Sequence, residues 1–220
     1  MSKLDQFTCA NAEAHRPWDA RLARRLVAPL KNSRVSPNHL TSVRLLVGLA
    51  AAAAFLPGAY GWSNAGAVLL AVSNFLDHSD GELARISGKS SRIGHLYDLA
   101  SDAVVTIAAF IAIGVGVGAH SKAVGPPVLG CVAGCAIALI FYLRMRIEER
   151  VGKAATLQAS LGGFETEDVL YLLPIATLCD GTVPLLVAAA ACAPLYAVWV
   201  VFEYRRTLHR PVFTIQSSSG

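Results

Sequence analysis

Two apolar runs, residues 65–76 and 103–119, enclose a short polar stretch that carries four aspartates. Residues 77–102 read DHSDGELARISGKSSRIGHLYDLASD. Asp77 and Asp80 stand three apart, and Asp98 and Asp102 four apart. On a helix those spacings put side chains on one face. One stripe then carries Asp77, Asp80, Ala84 and Arg85, and another carries Gly94, Asp98 and Asp102. Each helix has one end in lipid and acids at the other. The polar linker at residues 87–92 predicts that the two helices fold back on each other, so that four carboxylates converge near a membrane surface. Four close acids in a low-dielectric site need cations to compensate them. Hard divalent ions with oxygen ligands, Mg²⁺ or Mn²⁺, are the natural partners. The plainer alternative is a polar network that only ties helices together. It has to meet the cost of ionisable groups in spans, which usually mark function.

The rest of the chain fits a membrane setting. Of its 220 residues, 54% are hydrophobic and 15% charged, and the mean hydropathy is +0.49. That is a polytopic membrane composition. Apolar runs at residues 40–56, from 64 into the acidic stretch, from that stretch to 118, at 124–145, at 169–178 and at 184–202 predict six transmembrane helices. The fifth run is short for a full crossing. Residues 18–32, WDARLARRLVAPLKN, are amphipathic. Trp18, Leu22, Leu26, Val27 and Leu30 share one face, with Arg21, Arg24, Arg25 and Lys31 mostly around the other. That pattern suits a helix lying in the membrane interface, or one packing on its own domain. The expected fold is thus an all-α integral membrane protein with six spans and an N-terminal amphipathic interfacial helix. Its divisions are an arm at 1–38, a membrane domain at 39–210 and a tail at 211–220. No cleavable signal peptide is evident at the start. The five cysteines, Cys9, Cys131, Cys135, Cys179 and Cys192, read as reduced small residues.

Charge placement gives an orientation. With the acidic stretch on the cytoplasmic side, all but two of the 19 lysines and arginines lie inside. The exceptions are Arg44, within the first run and able to snorkel to the near interface, and Lys122. The positive-inside rule then puts both termini and the acids in the cytoplasm, for a multi-pass protein of the inner (plasma) membrane. It also accounts for the net charge of +4 without nucleic acid as a partner.

The spacing of the acidic stretch resembles the signature of the CDP-alcohol phosphotransferases, D-x2-D-G-x2-A-R-x8-G-x3-D-x3-D. Here the fixed positions are Asp77, Asp80, Gly81, Ala84, Arg85, Gly94, Asp98 and Asp102, with every gap met. The segment P-N-x-L-T, Pro37 to Thr41, is similar to the start of the family's first span, and the flanking hydropathy is similar to its six-helix domain. The resemblance implies that a CDP-linked donor gives its substituted phosphate to an alcohol hydroxyl while CMP leaves. The donor is then CDP-diacylglycerol or another CDP-alcohol (choline, ethanolamine or inositol type), the enzyme belongs to phospholipid biosynthesis, and the protein is a homodimer. On that reading Asp77, Asp80 and Asp98 hold metal. Asp102 is the base for the acceptor hydroxyl and a further metal ligand. Gly81, Ala84, Arg85 and Gly94 bind the nucleotide end, the small residues allowing close approach and Arg85 pairing with phosphate. His78 and His95 are less suited to Mg²⁺ than carboxylates.

Several positions keep two readings. Asn38 caps the first span or lines the nucleotide site. Arg144, Arg146, Arg150 and Lys153 serve topology, or hold the phosphate of an acceptor such as glycerol phosphate or inositol phosphate. Thr166 caps the fifth helix with Glu167 and Asp168 at its positive end, or Glu165 and Asp168 bind acceptor hydroxyls or an amine. Gly114 with Gly118, and Gly130 with Gly134, allow close helix approach within the chain or across a dimer. A different class, an ion or proton transporter using the intramembrane acids, would show inverted repeats and broken helices.

Overall fold

A computed structural model describes residues 18–89, 91–121, 125–151 and 171–208. Among these, all regular structure is helical. The elements are α1 (Trp18–Val27), a single 3-10 turn (Ala28–Leu30), α2 (Pro37–Phe55), α3 (Tyr60–Ser87), α4 (Arg92–Ser121), α5 (Gly125–Val151), α6 (Leu173–Leu178) and α7 (Thr182–Leu208). Among the described residues, four stretches are long and apolar enough to cross a membrane: Pro37–Phe55, Arg92–Ala119, Gly125–Ile147 and Thr182–Leu208. The helix α3 has 28 residues, but its second half is the acidic stretch. Of the short fifth run, residues 171–178 are described, and α6 takes six of them.

Local sequence sets the helix ends. Pro37 occupies the first turn of α2, where its missing N–H costs nothing. Ser36 is the cap residue, and its N–H donates to His39 Nδ1 at 3.2 Å. The cap is therefore Ser36 rather than Asn38, which lies inside the first turn. Gly88, with φ 68°, ends α3 in the left-handed conformation that favours glycine. Ser91 Oγ accepts the Gly94 N–H at 3.0 Å and starts α4. The turn before α7 has its left-handed residue at Asp180, φ 54°, a residue type that tolerates it.

The helix α2 is the hub. It packs along both α3 and α4, while α5 packs on α4, α7 on α5, and α1 and α6 on α3. The expected fold-back brings the aspartates of α3 and α4 together, but each of the two helices packs more extensively on α2. The two helices straddle α2, whose alanines let both come close. Ala51, Ala52 and Phe55 of α2 meet Ala67 and Leu70 of α3 and Val105, Ala109 and Ile113 of α4 in one core. A second core joins Ile140, Leu143 and Ile147 of α5 to Ala197 and Val200 of α7.

Close backbone approach uses glycine. A Cβ on Gly130 would strike the Phe110 carbonyl, and one on Gly114 would strike the Pro126 carbonyl. Gly134 is less tight, with a Cβ there 3.0 Å from Ile107 Cα. These glycines serve the α4–α5 contact inside the chain, which decides between their two readings in favour of internal packing. On α1, Ala23 and Val27 are buried, while Leu22 and Leu26 remain exposed. The single apolar face read from the sequence is thus divided between the protein and the outside. Leu46, Val128, Leu195 and Val198 are likewise exposed on the outer faces of α2, α5 and α7.

Candidate active site

Three helices bring their polar residues to one place. From α3 come Asp77 and Asp80, and from α4 Asp98 and Asp102. From α2 come Thr41 and Arg44, three residues apart and so on one face. Asp80 is 4% exposed and accepts the Thr41 hydroxyl at 2.7 Å. Asp77, Asp98 and Asp102 are half-buried.

Arg44 does not snorkel. It is 1% exposed and turns into the acids. Its Nη1 pairs with Asp77 and lies 3.5 Å from Asp102 Oδ1. Its Nη2 lies 3.2 Å from Asp98 Oδ1 and donates to the Asp98 main-chain oxygen at 2.9 Å. Snorkelling would free one charge, but turning inward compensates several. Sequence reasoning passed over both Arg44 and Thr41. The available signal was a cation inside a span at helical spacing from a hydroxyl.

Oxygens of Asp77, Asp80 and Asp98 lie within 4.8 Å of one another. Asp102 stands outside that set, with its Oδ1 3.5 Å from Arg44 Nη1. Asp98 Oδ1 is buried and its near neighbour is the Arg44 guanidinium, at 3.2 Å. An all-carboxylate set of this size fits a hard divalent cation.

The remaining motif positions surround these acids. A Cβ on Gly81 would meet nothing within 4 Å, so the backbone of α3 is open beside Asp80. Ala84 is half-buried. Arg85 is exposed and pairs with the buried Glu82 at 2.7 Å. Gly94 lies closest not to α3 but to α2, since a Cβ there would stand 2.8 Å from Asn38 Oδ1. Asn38 thus lies against the first turn of α4. Ser42 Oγ and Tyr97 OH, 3.0 Å apart, add a further tie between α2 and α4. His78 Nδ1 contacts its own helix at the Asn74 carbonyl, 3.0 Å away. Below the acids, Asn74 and Leu70 of α3 face Asp102, Val105 and Thr106 of α4 across a cleft with Arg44 at its head.

The basic end of α5 is a separate place. Arg144 Nη2 donates to Tyr196 OH at 2.6 Å. Its guanidinium lies 5.6 Å from the Tyr196 ring centre and 5.3 Å from that of Trp199, and Nη1 is 3.6 Å from Glu203 Oε2. Arg146 and Arg150 are exposed. Lys153, Glu165, Thr166, Glu167 and Asp168 lie outside the described residues.

The profile of the CDP-alcohol phosphatidyltransferases matches residues 34–204, a range that contains every one of these aspartates. The chain belongs to that family. As such it is a membrane enzyme that transfers substituted phosphate groups. No curated protein matches the chain by sequence. Among solved structures, it is similar to the phosphatidylinositol phosphate synthase of Mycobacterium tuberculosis. The form with CDP-DAG bound is 23% identical with a TM-score of 0.57, over 86% of this chain and 92% of that one. The form with manganese and citrate is 20% identical with a TM-score of 0.57, over 88% and 93%. The apo form is 19% identical with a TM-score of 0.55, over 86% and 98%. At these identities the likeness is one of fold, and it spans nearly the whole of both chains.

Proposed function

We propose that this phosphatidyltransferase takes its phosphatidyl group from CDP-diacylglycerol and gives it to an alcohol that itself carries a phosphate, such as glycerol phosphate or inositol phosphate. The observation that carries this reading is the set of three converging carboxylates beside the open backbone at Gly81. A dinucleotide-like pyrophosphate needs both: hard positive charge, and a helix surface without side chains in its way. The mycobacterial synthase, with CDP-DAG bound in one structure and manganese in another, supports the donor and the metal class.

Asp77, Asp80 and Asp98 would hold Mg²⁺ or Mn²⁺. When bound, the ion neutralises charge on the pyrophosphate and on the departing CMP. Gly81 and Ala84 let the nucleotide lie against α3, Arg85 pairs with a donor phosphate, and Gly94 with Asn38 closes the nucleotide end. Asp102 receives the proton of the acceptor hydroxyl. The acceptor oxygen then forms the new bond to the phosphatidyl phosphorus. The pyrophosphate bridge breaks at that phosphorus, and CMP leaves with the electron pair. Arg144, Arg146, Arg150 and Lys153 form the acceptor's phosphate site. Within it Arg144, fixed by Tyr196 and Trp199, is the rigid member, and Arg146 and Arg150 are the exposed ones.

The same reading places the enzyme in the inner membrane with six spans, α1 in the interface through Leu22 and Leu26, and both termini and the acids facing the cytoplasm. It works as a homodimer. The internal role of Gly114, Gly130 and Gly134 leaves the family's habit as the support for that state.

The test is an acceptor panel. Purified enzyme receives CDP-diacylglycerol, Mn²⁺ or Mg²⁺, and one alcohol at a time, with CMP and lipid product read out. Phosphorylated polyols should release CMP and appear in the lipid. If only serine or an unphosphorylated alcohol works, the acceptor assignment is wrong. If CDP-choline or CDP-ethanolamine with a lipid acceptor works instead, the donor assignment is wrong.

A further inference from the structure

The acids at the head of the cleft share their burial with one cation. Arg44 faces Asp77, Asp98 and Asp102 together, while Asp80 takes the Thr41 hydroxyl. Two of the ties that hold Arg44 involve no carboxylate. Its Nη2 donates to the Asp98 main-chain oxygen at 2.9 Å. Its own main-chain oxygen accepts the Ser73 hydroxyl at 3.0 Å. These bonds fix α2 to α3 and the guanidinium to α4, independently of what the carboxylates bind.

We infer that Arg44 is a resident counter-cation of the aspartate site, a positioning residue that stabilises the metal-free bundle and weakens metal binding. The inference rests on the proposed divalent site. Carboxylates this close repel one another strongly where water is scarce. A fixed positive charge between α3 and α4 offsets that repulsion and keeps Asp77 and Asp102 from parting. The same charge opposes an arriving divalent ion at short range. Arginine suits the position because its planar fork reaches two helices at once and it stays charged at any working pH. A lysine would keep the charge but lose the fork.

The experiment compares wild type, Arg44→Lys, Arg44→Met and the double variant Arg44→Met with Asp102→Asn. Each is melted in EDTA and in Mn²⁺, and Mn²⁺ binding is titrated by the free-ion electron paramagnetic resonance signal. Arg44→Met should melt lower in EDTA, recover most of that loss in Mn²⁺, and bind Mn²⁺ about tenfold more tightly. Arg44→Lys should keep its Mn²⁺ affinity within about threefold of wild type. The double variant restores the charge balance, so it should melt above Arg44→Met in EDTA and return towards wild-type affinity. Equal melting losses in EDTA and Mn²⁺, or unchanged or weaker Mn²⁺ binding in Arg44→Met, would make Arg44 a structural joint only and overturn the inference. If Arg44→Met does not fold, the double variant decides, and its failure to fold or to bind Mn²⁺ like wild type also overturns it. A wild type that binds no Mn²⁺ brings down the divalent site itself, and this inference with it. A wild type that binds Mn²⁺, with no gain in the variant, brings down only the role of Arg44.

Discussion

Arg44 and Arg144 both stand on apolar helices and both leave water for a contact between helices, yet their surroundings are opposite. Arg44 is 1% exposed and looks at three carboxylates from two other helices. Arg144, with its side chain 19% exposed, lies by two aromatic rings and has Glu203 at 3.6 Å. Among carboxylates a guanidinium is an electrostatic part of a site. Against aromatic faces it is also packing surface. The difference also separates two regions of the molecule. The α2–α3–α4 region collects charge around a cleft, and the α5–α7 region closes a second core with Arg144 at its basic end. An arginine's place along a span says little about its role. The helices that face it decide.

The sharpest way to break this comparison is to remove charge from the acid side. Asp77→Asn or Asp80→Asn should take CMP release below detection and abolish Mn²⁺ binding, because each takes one of three converging ligands. If calorimetry shows Mn²⁺ bound as in wild type, the three-acid set is not the metal site. A second variant tests the open backbone. Gly81→Leu fills space that is empty in the free protein, so melting should stay near wild type while the KM for the donor rises by roughly tenfold. A fall in melting temperature with donor KM unchanged would place the nucleotide elsewhere.

On the basic side the expected effects are smaller. Arg144→Ala should raise the acceptor KM several-fold and leave the donor KM alone. It should also lower stability by about 1–3 kcal/mol, from the lost charged hydrogen bond to Tyr196 and the lost packing on Trp199. A rise in donor KM instead would unite the two regions into one donor site. The smallest effect is expected at Thr41. Thr41→Val keeps the shape and removes one hydroxyl from Asp80, costing about 1 kcal/mol of stability and weakening Mn²⁺ binding a few-fold, both measurable by thermal melts and titration. An effect as large as that of Asp80→Asn would mean that the hydroxyl itself belongs to the site.

How much of this was legible follows from what a linear pattern can carry. The four aspartates, Gly81 and the ends of α3 and α4 were readable, because spacings of three and four and the linker at residues 87–92 lie within one short stretch. Arg44 and Thr41 were not, because a third helix brings them in, and periodicity says which face a residue occupies but not which helix docks there. The same blindness missed α2 as the helix on which both α3 and α4 pack. Gly114 and Gly130 marked close approach correctly, and the pattern was silent on whether the partner was α5, α4 or a second chain. Asn38 lost the capping position to Ser36, two residues away, since both types cap well.

We propose a division among the acids: Asp77, Asp80 and Asp98 would hold metal, and Asp102, outside that set, would take the proton. Asp98 and Asp102 are one turn apart on α4, so one can reach the metal while the other faces the cleft. The most direct measurement sets Asp98→Asn beside Asp102→Asn, with Mn²⁺ and donor binding by calorimetry and turnover by CMP release on the same preparations. Asp98→Asn should lose Mn²⁺ binding and the donor with it. Asp102→Asn should bind both nearly as wild type does while turnover falls by roughly 10²-fold or more. Equal loss of Mn²⁺ binding in the two variants would contradict the division and make all four aspartates plain ligands.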